Sequence, residues 1–196
     1  MTPLSQLGAV VLAAGLSSRM QGENKLLKVW RGKPLLAHCL ETVGALGLAH
    51  ICVVTGGNSE VHRLAARWPV AFIENPAFAT GMASSIAAGI LATPVSTMGA
   101  FIVLGDMPLV QRSDYNMLAA EFAPEQDRDI CVTMYKGRRG HPVLFGKSHF
   151  RDLAALQGDR GGGAVIDRNL GRVISVESTS KGVLLDFDTF EDFKNE

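Results

Sequence analysis

The feature that most limits the possible folds is a regular alternation of apolar and amphipathic stretches through the first half of the chain. Near-continuous apolar runs are typical of strands in a sheet that is covered on both faces. Such runs are Ala9–Ala13, Ile51–Thr55, Val70–Glu74 and Ala100–Leu104. Helices are predicted between them at Pro34–Leu46, Asn58–Trp68 and Met82–Leu91, with Pro34 as a first helical residue and Asn58 as an N-cap. This order predicts an α/β domain with a mostly parallel central sheet and right-handed crossovers.

The pattern changes after about residue 128. Ile130–Tyr135 and His141–Phe145 flank the turn sequence Lys-Gly-Arg-Arg-Gly, which predicts a hairpin or a return strand. Val173–Val176 and Val183–Phe187 are predicted late strands. The sequence contains no repeat and no linker, so we expect one domain spanning residues 1–196.

Charge and composition argue against several classes of protein. The 19 basic and 19 acidic residues give a formal net charge of +0 without an extended basic cluster, so neither nucleic acid nor an anionic membrane is an expected partner. No apolar run reaches the roughly 18–20 residues that a membrane-spanning helix needs. The first residues lack the basic region of a secretion signal. Cys39, Cys52 and Cys131 are isolated in apolar surroundings, which is typical of reduced, buried thiols, and we expect a cytoplasmic protein.

A loop of small residues follows the first predicted strand. The sequence LAAGLSSRM spans residues 12–20, and ligands of open α/β sheets bind where strands end. Small side chains there let backbone N–H groups approach a triphosphate, while Arg19 and Lys25 can contact phosphate oxygens. The dinucleotide fingerprint GxGxxG and the P-loop GxxxxGK[ST] are both absent. The alternative interpretation is a tight strand-to-helix turn with solvated Arg19 and Lys25.

Acidic residues follow two other predicted strands. Asp106 comes directly after a strand, on the sheet edge expected for the first loop. Because Mg²⁺ takes one or two carboxylates together with phosphate oxygens and water, Asp106 is a candidate ligand. Alternation along Asp186–Asp188 puts two more carboxylates on one face and supplies a candidate second ligand. The alternative interpretation is a strand end that turns into a helix at Phe190–Lys194, with Asp188 or Thr189 as its cap.

Six short segments carry a similarity to a known family. They are LAAGLSSRM (12–20) with Lys25, GMASSIAAGI (81–90), LGDMPLV (104–110), RRGHPVLF (138–145), LQGDRGGG (156–163) and DFDTFED (186–192). In this order, and over nearly the whole chain, they resemble the MobA-like nucleotidyltransferases, in particular the molybdenum cofactor cytidylyltransferase group. The resemblance implies a Rossmann-like three-layer α/β/α nucleotidyltransferase fold.

The resemblance also implies a role for each matching residue. The nucleotide would contact residues of the first two segments, namely Leu12, Ala13, Ala14, Gly15, Arg19, Lys25, Gly81 and Ser85. The catalytic residues would be Arg19, Lys25 and Asp106. Mg²⁺, with Mn²⁺ as the alternative ion, would bind to Asp106 and Asp188. The acceptor pocket would be bordered by Gly140, His141 and Pro142, with Gly158 and Asp159 on a loop beside it.

The implied substrates are CTP and a molybdopterin-type phosphorylated acceptor. Cytosine-using members of the family carry Ala where guanine-using members carry Gly, and Ala14 matches the former. The methyl group of Ala14 would narrow the space beside the base and favour a pyrimidine over a purine. The acceptor's terminal phosphate would attack the α-phosphorus of CTP in line and release pyrophosphate. This phosphate is already anionic, so we expect His141 to be a hydrogen-bonding pocket wall and not a general base.

Three other functions fit parts of the sequence. A related transferase would act on a sugar phosphate or another phosphorylated small molecule. A non-catalytic protein would hold the finished cofactor for a molybdenum hydroxylase, the partner that the resemblance implies, but it would not need both Asp106 and Asp188. An NAD(P)-dependent reductase fits least, because its glycine fingerprint is absent.

Overall fold

The computed structural model describes residues 2–15, 23–189 and 191–194. These residues contain nine strands and six α-helices, joined by loops and short 3₁₀ helices. The strands are β1 (Leu7–Ala13), β2 (Val29–Trp30), β3 (Lys33–Pro34), β4 (His50–Thr55), β5 (Ala71–Glu74), β6 (Gly99–Leu104), β7 (Ile130–Tyr135), β8 (Arg138–Gly146) and β9 (Val173–Glu177). The helices are α1 (Leu35–Gly44), α2 (Ser59–Ala65), α3 (Met82–Leu91), α4 (Arg112–Glu121), α5 (Phe150–Ala154) and α6 (Gly163–Arg168).

Seven of the strands form one sheet in the order β5-β4-β1-β6-β8-β7-β9. The four strands β5, β4, β1 and β6 are parallel. The hairpin strand β8 runs antiparallel to both β6 and β7, and β9 is parallel to β7. The predicted mostly parallel sheet and the predicted hairpin are therefore confirmed, while a single domain over residues 1–196 stays a prediction.

Helices cover both faces of this sheet, because successive side chains of a strand point to opposite sides. Val11 belongs to the apolar cluster that contains side chains of α1, α2 and α4. Its neighbour Val10 belongs to the cluster that contains side chains of α3, α5 and α6. Both valines have 0% exposed surface. The result is the three-layer α/β/α arrangement that the family resemblance implies.

The helix boundaries follow the predictions with small shifts. The predicted helix Met82–Leu91 has the same bounds in the structure. Asn58 caps α2 as predicted, since its Oδ1 accepts hydrogen bonds from Glu60 N and Val61 N at 3.0 Å each. Pro34 is not a first helical residue but pairs with Val29 in the small β2–β3 ribbon, and α1 begins one residue later.

The predicted strand Val183–Phe187 is wrong. Lys181–Leu184 form a 3₁₀ helix instead, whose first turn is capped by Ser180 through a 3.0 Å hydrogen bond from Gly182 N. The apolar side chains of Val183 and Phe187 are buried all the same. The run is apolar because it packs under the site described below, and not because it pairs with a strand.

The three cysteines are free and buried, as predicted. Their burial raises the pKa of each thiol to about 12, so none is a thiolate nucleophile near neutral pH. Among the described helices, none has the length and apolar character of a membrane span.

Candidate active site

A cleft of about 380 Å³ opens where β1 and β6 end. It brings together eight residues that the sequence predicted for nucleotide or metal binding: Leu12, Ala14, Gly15, Lys25, Gly81, Ser85, Asp106 and Asp188. This is the carboxyl edge of parallel strands, the place where open α/β sheets bind ligands. The predicted clustering of the glycine-rich loop with the two carboxylates is therefore present in the described structure.

The backbone at Gly105, just after β6, lies in close contact with the end of β1. Its N–H donates a hydrogen bond to Leu12 O at 3.1 Å. A Cβ at Gly105 would stand 3.0 Å from that same oxygen and 3.0 Å from a Leu36 methyl group, contacts tight enough that a neighbour would have to move slightly. The close approach places Asp106, the next residue, directly beside the loop that follows β1.

Phe187 anchors the segment that carries the second carboxylate. Its N–H donates to Asp106 O at 3.0 Å. Its buried ring packs edge-on against Trp30 and Phe193, with centroid distances of 5.1 and 5.4 Å. Asp186 and Asp188, on either side of Phe187, both line the cleft. The predicted alternation of the three side chains is thus present, although the segment is not a strand.

Asp192 holds the backbone that follows Asp188. Its Oδ2 accepts hydrogen bonds from Asp188 N at 3.0 Å and from Thr189 N and Oγ1 at 2.7 and 2.8 Å. Burial alone would raise the pKa of Asp192, but these hydrogen bonds outweigh it and lower the pKa. The alternative interpretation is a helix at Phe190–Lys194 capped by Asp188 or Thr189, whereas residues 191–194 form a turn. Phe190 lies outside the described residues.

The ammonium group of Lys25 lies between the two carboxylates. Its Nζ is 2.5 Å from Asp106 Oδ2 and also donates to Asp188 Oδ1. The three side chains are 12%, 17% and 30% exposed for Lys25, Asp106 and Asp188. Burial alone would lower the pKa of Lys25, but the neighbouring carboxylates outweigh it and raise the pKa. Lys25 is therefore charged at neutral pH, and two carboxylate oxygens converge on one cationic centre.

The same two carboxylates suit a divalent cation. Both contact a single nitrogen atom, so one ion at that place can touch both. Asp106 Oδ1 is buried and has no hydrogen-bond partner among the described residues, which leaves it available as a ligand. Across residues 2–15, 23–189 and 191–194, no group of three or more His, Cys, Asp or Glu side chains is placed to hold a metal ion. The donor set therefore fits an ion such as Mg²⁺, which completes its shell with phosphate oxygens and water.

The amino end of α3 forms the opposite wall of the cleft. Gly81 has φ 118°, a conformation that L side chains rarely adopt. A Cβ at Gly81 would stand 2.2 Å from Asp159 Oδ1 and 2.7 Å from Gly158 O. Ala83 N donates to the same Gly158 oxygen at 3.2 Å. The glycine therefore lets α3 contact the 158–159 loop, which brings Asp159 to the cleft.

A second cavity of about 290 Å³ adjoins the first, and Met82 and Asp159 line both. Gly140 and His141, which the family resemblance implied for an acceptor pocket, line this second cavity, and Gly158 is next to Asp159 in the loop beside it. Its floor is apolar and consists of Ile86, Ile102, Val132, Val143, Phe145 and Ile166. Pro142 is buried and does not line the cavity. The arrangement offers room for two ligands that meet near Asp159.

His141 has the properties of a pocket wall. Its burial lowers the pKa, although a backbone hydrogen bond at Ile102 and the charges of Asp106 and Asp186 oppose that effect. Nδ1 is buried without a hydrogen-bond partner among the described residues. The imidazole is therefore neutral near pH 7 and forms part of the wall of the second cavity.

Gly140 is better explained by packing than by a ligand contact. A Cβ at this position would stand 2.4 Å from Val183 O. We expect Gly140→Ala to push the 181–184 helix outward, displace Asp188, and lower kcat/KM by at least ~10-fold while destabilising the fold by about 1–3 kcal/mol. Steady-state kinetics and thermal unfolding measure the two effects. Gly171→Ala is the control, since a Cβ there meets no atom within 4 Å. Equal activity of the two variants would contradict the packing role.

Among the described residues, two predicted site residues, Ala13 and Pro142, line neither the cleft nor the second cavity. Arg19 lies outside the described residues. Ala13 is 3% exposed and belongs to the core, so its side chain does not line the cleft. Pro142 is buried, as noted above. Conversely, the sequence did not assign a role to Asn75, whose amide contacts Ser85. Asp186, which the sequence offered beside Asp188 as a source of the second metal ligand, also lines the cleft.

The chain is similar over nearly its whole length to known proteins. The molybdenum cofactor cytidylyltransferase of Escherichia coli (strain K12) is 29% identical over 192 residues, which cover 97% of this chain and 95% of that protein. The crystal structure of Rv0371c from Mycobacterium tuberculosis H37Rv has a TM-score of 0.81 and 27% identity, with 97% of both chains covered. A structure of Rv0371c in complex with manganese has a TM-score of 0.73 and 25% identity, with 96% of both chains covered. The MobA-like NTP transferase domain matches residues 9–173, and this chain belongs to that family.

Proposed function

We propose that this protein transfers CMP from CTP to the terminal phosphate of molybdopterin and releases pyrophosphate. The observation that carries the proposal is the convergence of Asp106 and Asp188 on one cationic centre inside the cleft. The family membership supports nucleotidyl transfer. The molybdopterin acceptor is supported by the similarity to the E. coli molybdenum cofactor cytidylyltransferase. A molybdenum hydroxylase would then be the protein that receives the product.

In the proposed reaction, an oxygen of the acceptor phosphate forms a bond to the α-phosphorus of CTP, and the bond from that phosphorus to the bridging oxygen of pyrophosphate breaks. No proton has to be removed from the attacking group. Asp106 and Asp188 would hold Mg²⁺, or Mn²⁺, and the ion when bound would neutralise charge on the phosphate oxygens. Lys25 would move from the carboxylates to the phosphates and stabilise the leaving pyrophosphate. Arg19 has the same proposed role by its place in the family segment.

The second cavity would hold the acceptor. Its apolar floor suits the flat face of a pterin ring, and Gly140, His141 and Asp159 lie at its border. Asp159 also lines the first cleft, so the two substrates would meet beside it. Positioning two reactants in adjacent cavities supplies much of the rate enhancement in reactions of this kind.

Ala14 is the residue on which the expected preference for cytosine depends. It is 8% exposed and lines the cleft. We expect wild-type kcat/KM to be at least ~10-fold higher with CTP than with GTP, since one methyl group in a pocket discriminates by about 10-fold or more. Ala14→Gly should reduce that ratio. Pyrophosphate release with CTP, GTP and ATP under equal Mg²⁺ measures it, and a clear preference of the wild-type protein for GTP would contradict the assignment.

The decisive experiment on function is pyrophosphate release from CTP with molybdopterin and, separately, with a panel of sugar phosphates. Turnover that requires molybdopterin supports the proposal. Turnover with a sugar phosphate alone would assign the chain to another acceptor. Tight CTP binding without pyrophosphate release from any acceptor would favour a cofactor-binding protein.

A further inference from the structure

We propose that Asn75 is a positioning residue for the nucleobase, because it fixes the hydroxyl of Ser85 as a hydrogen-bond donor toward the ligand. The inference rests on the proposed function in one respect, namely that the cleft lined by Ser85 holds a nucleotide. Asn75 does not itself line the cleft. It is 4% exposed and follows β5, where its N–H donates to Thr55 O at 2.8 Å.

The orientation of the Asn75 amide is set by the backbone. Its Oδ1 accepts a hydrogen bond from Ala77 N at 3.0 Å, and a backbone N–H can only donate. The NH₂ group must therefore face the other way. There it donates to Ser84 Oγ at 2.9 Å and to Ser85 Oγ at 3.0 Å. Both amide hydrogens are used, and each serine oxygen receives one of them.

The two serines differ in where their own hydroxyl hydrogen goes. Ser84 Oγ can donate to Gly81 O at 2.9 Å or to Ala77 O at 3.0 Å, so its hydrogen is satisfied by the main chain. Within the described residues, no protein atom accepts the hydrogen of Ser85 Oγ. Ser85 is 5% exposed, and a buried hydroxyl without an acceptor costs free energy unless a ligand supplies one. Since an amide hydrogen already occupies one side of Ser85 Oγ, the hydroxyl is left to donate to the cleft.

A donor at this place selects a ligand that presents an acceptor. In the proposed reaction the phosphates lie at Lys25, Asp106 and Asp188, so the base would lie toward the α3 wall of the cleft that carries Ser85. There O2 and N3 of cytosine are the acceptors. Asn75 would therefore affect affinity for the base and leave affinity for the phosphates unchanged. This difference separates a positioning role from a purely structural one.

The test compares binding of Mg²⁺–CTP with binding of Mg²⁺–tripolyphosphate, which has no base, by titration calorimetry. Asn75→Asp keeps the acceptor for Ala77 N but replaces the NH₂ donor by an oxygen that takes the Ser85 hydrogen for itself. We expect Asn75→Asp and Ser85→Ala each to weaken CTP binding by about tenfold, the scale of one hydrogen bond. The double variant should be no weaker than Ser85→Ala within about twofold, because both changes remove the same contact.

Ser84→Ala is the matched control, because Ser84 receives the same amide but donates to the main chain. It should bind CTP within about twofold of wild type, and every variant should keep wild-type affinity for tripolyphosphate. If Asn75→Asp does not fold, Asn75→Ala is measured with the same two ligands. Wild-type CTP affinity in the Asn75 variant, additive losses in the double variant, or an equal loss for tripolyphosphate would overturn the inference. Wild-type protein that binds tripolyphosphate but not CTP would instead overturn the proposed function.

Discussion

Replacing Asp106 by asparagine should lower kcat for pyrophosphate release by about 100-fold to 1,000-fold, the effect of losing one group that stabilises charge in the transition state. The substitution keeps the size of the side chain and removes its negative charge. Asp106 Oδ2 contacts Lys25 Nζ at 2.5 Å, and Oδ1 has no hydrogen-bond partner in the described part of the chain. Lys25 keeps Asp188 as a carboxylate partner in this variant, so we expect the main loss to fall on metal binding and turnover and the variant to stay folded.

The measurement is single-turnover pyrophosphate release at saturating CTP with molybdopterin as the acceptor, over a range of Mg²⁺ concentrations, with circular dichroism to verify the fold. Asp152→Asn is the control. Asp152 is exposed on α5, so its substitution removes one negative charge away from the cleft. Higher Mg²⁺ should restore part of the activity if the carboxylate is a ligand. Wild-type activity in Asp106→Asn would refute both the metal site and the catalytic role.

The sequence predicted the parts of the site that depend on short-range patterns. Asp106 follows a recognisable strand, and the carboxyl ends of parallel strands meet at one edge, so its place beside Gly15 followed from strand order alone. The predicted placement of Asp186 and Asp188 on one side of the chain is also seen in the structure. Their segment is not a strand, but the burial of Phe187 between them keeps both carboxylates on the cleft side.

The remaining features depend on contacts between distant residues. Val183–Phe187 has the composition of a strand, yet the structure buries its apolar side chains without strand pairing, and Phe187 packs with Trp30 and Leu109. Ser85 and Asn75 are ten residues apart on different elements, and nothing in either local sequence indicates that an amide orients the hydroxyl. Such polar contacts become visible only when the fold places the partners together.

Asp129 is a buried polar residue whose partners are all distant in the sequence. It is 0% exposed and precedes β7, at the sheet edge opposite the cleft. Its oxygens accept from Arg172 Nε and Nη2 at 2.8 and 2.6 Å, from Ser148 Oγ at 2.5 Å and from His149 Nε2 at 2.9 Å. The partners stand before β9 and after β8, so one carboxylate joins the three strands that extend the parallel sheet.

Asp129→Asn should lower the free energy of unfolding by about 3 kcal/mol, the lower end of the range for breaking a buried ion pair. We place it there because Arg172 is 35% exposed and keeps some solvation. For a chain of this size the change corresponds to a fall in Tm of about 6–12 °C. The matched control is Asp127→Asn, whose carboxylate contacts the same Arg172 at 2.9 Å but is 77% exposed. An exposed pair of that kind contributes about 0–1 kcal/mol.

The effect of Asp129→Asn should also depend on pH, and the direction follows from the pKa of the carboxyl. Burial alone would raise that pKa, but the hydrogen bonds from Arg172, Ser148 and His149 outweigh it and hold it well below the ordinary value. A lowered pKa stabilises the fold fully above the pKa of the unfolded chain, about 3.9, and less as pH falls below it. The difference in urea midpoint between wild type and variant should therefore be constant from pH 7 to 5 and shrink toward pH 3. A difference that stayed constant at acid pH, or a Tm equal to that of Asp127→Asn, would show that the buried carboxylate does not stabilise the fold in this way.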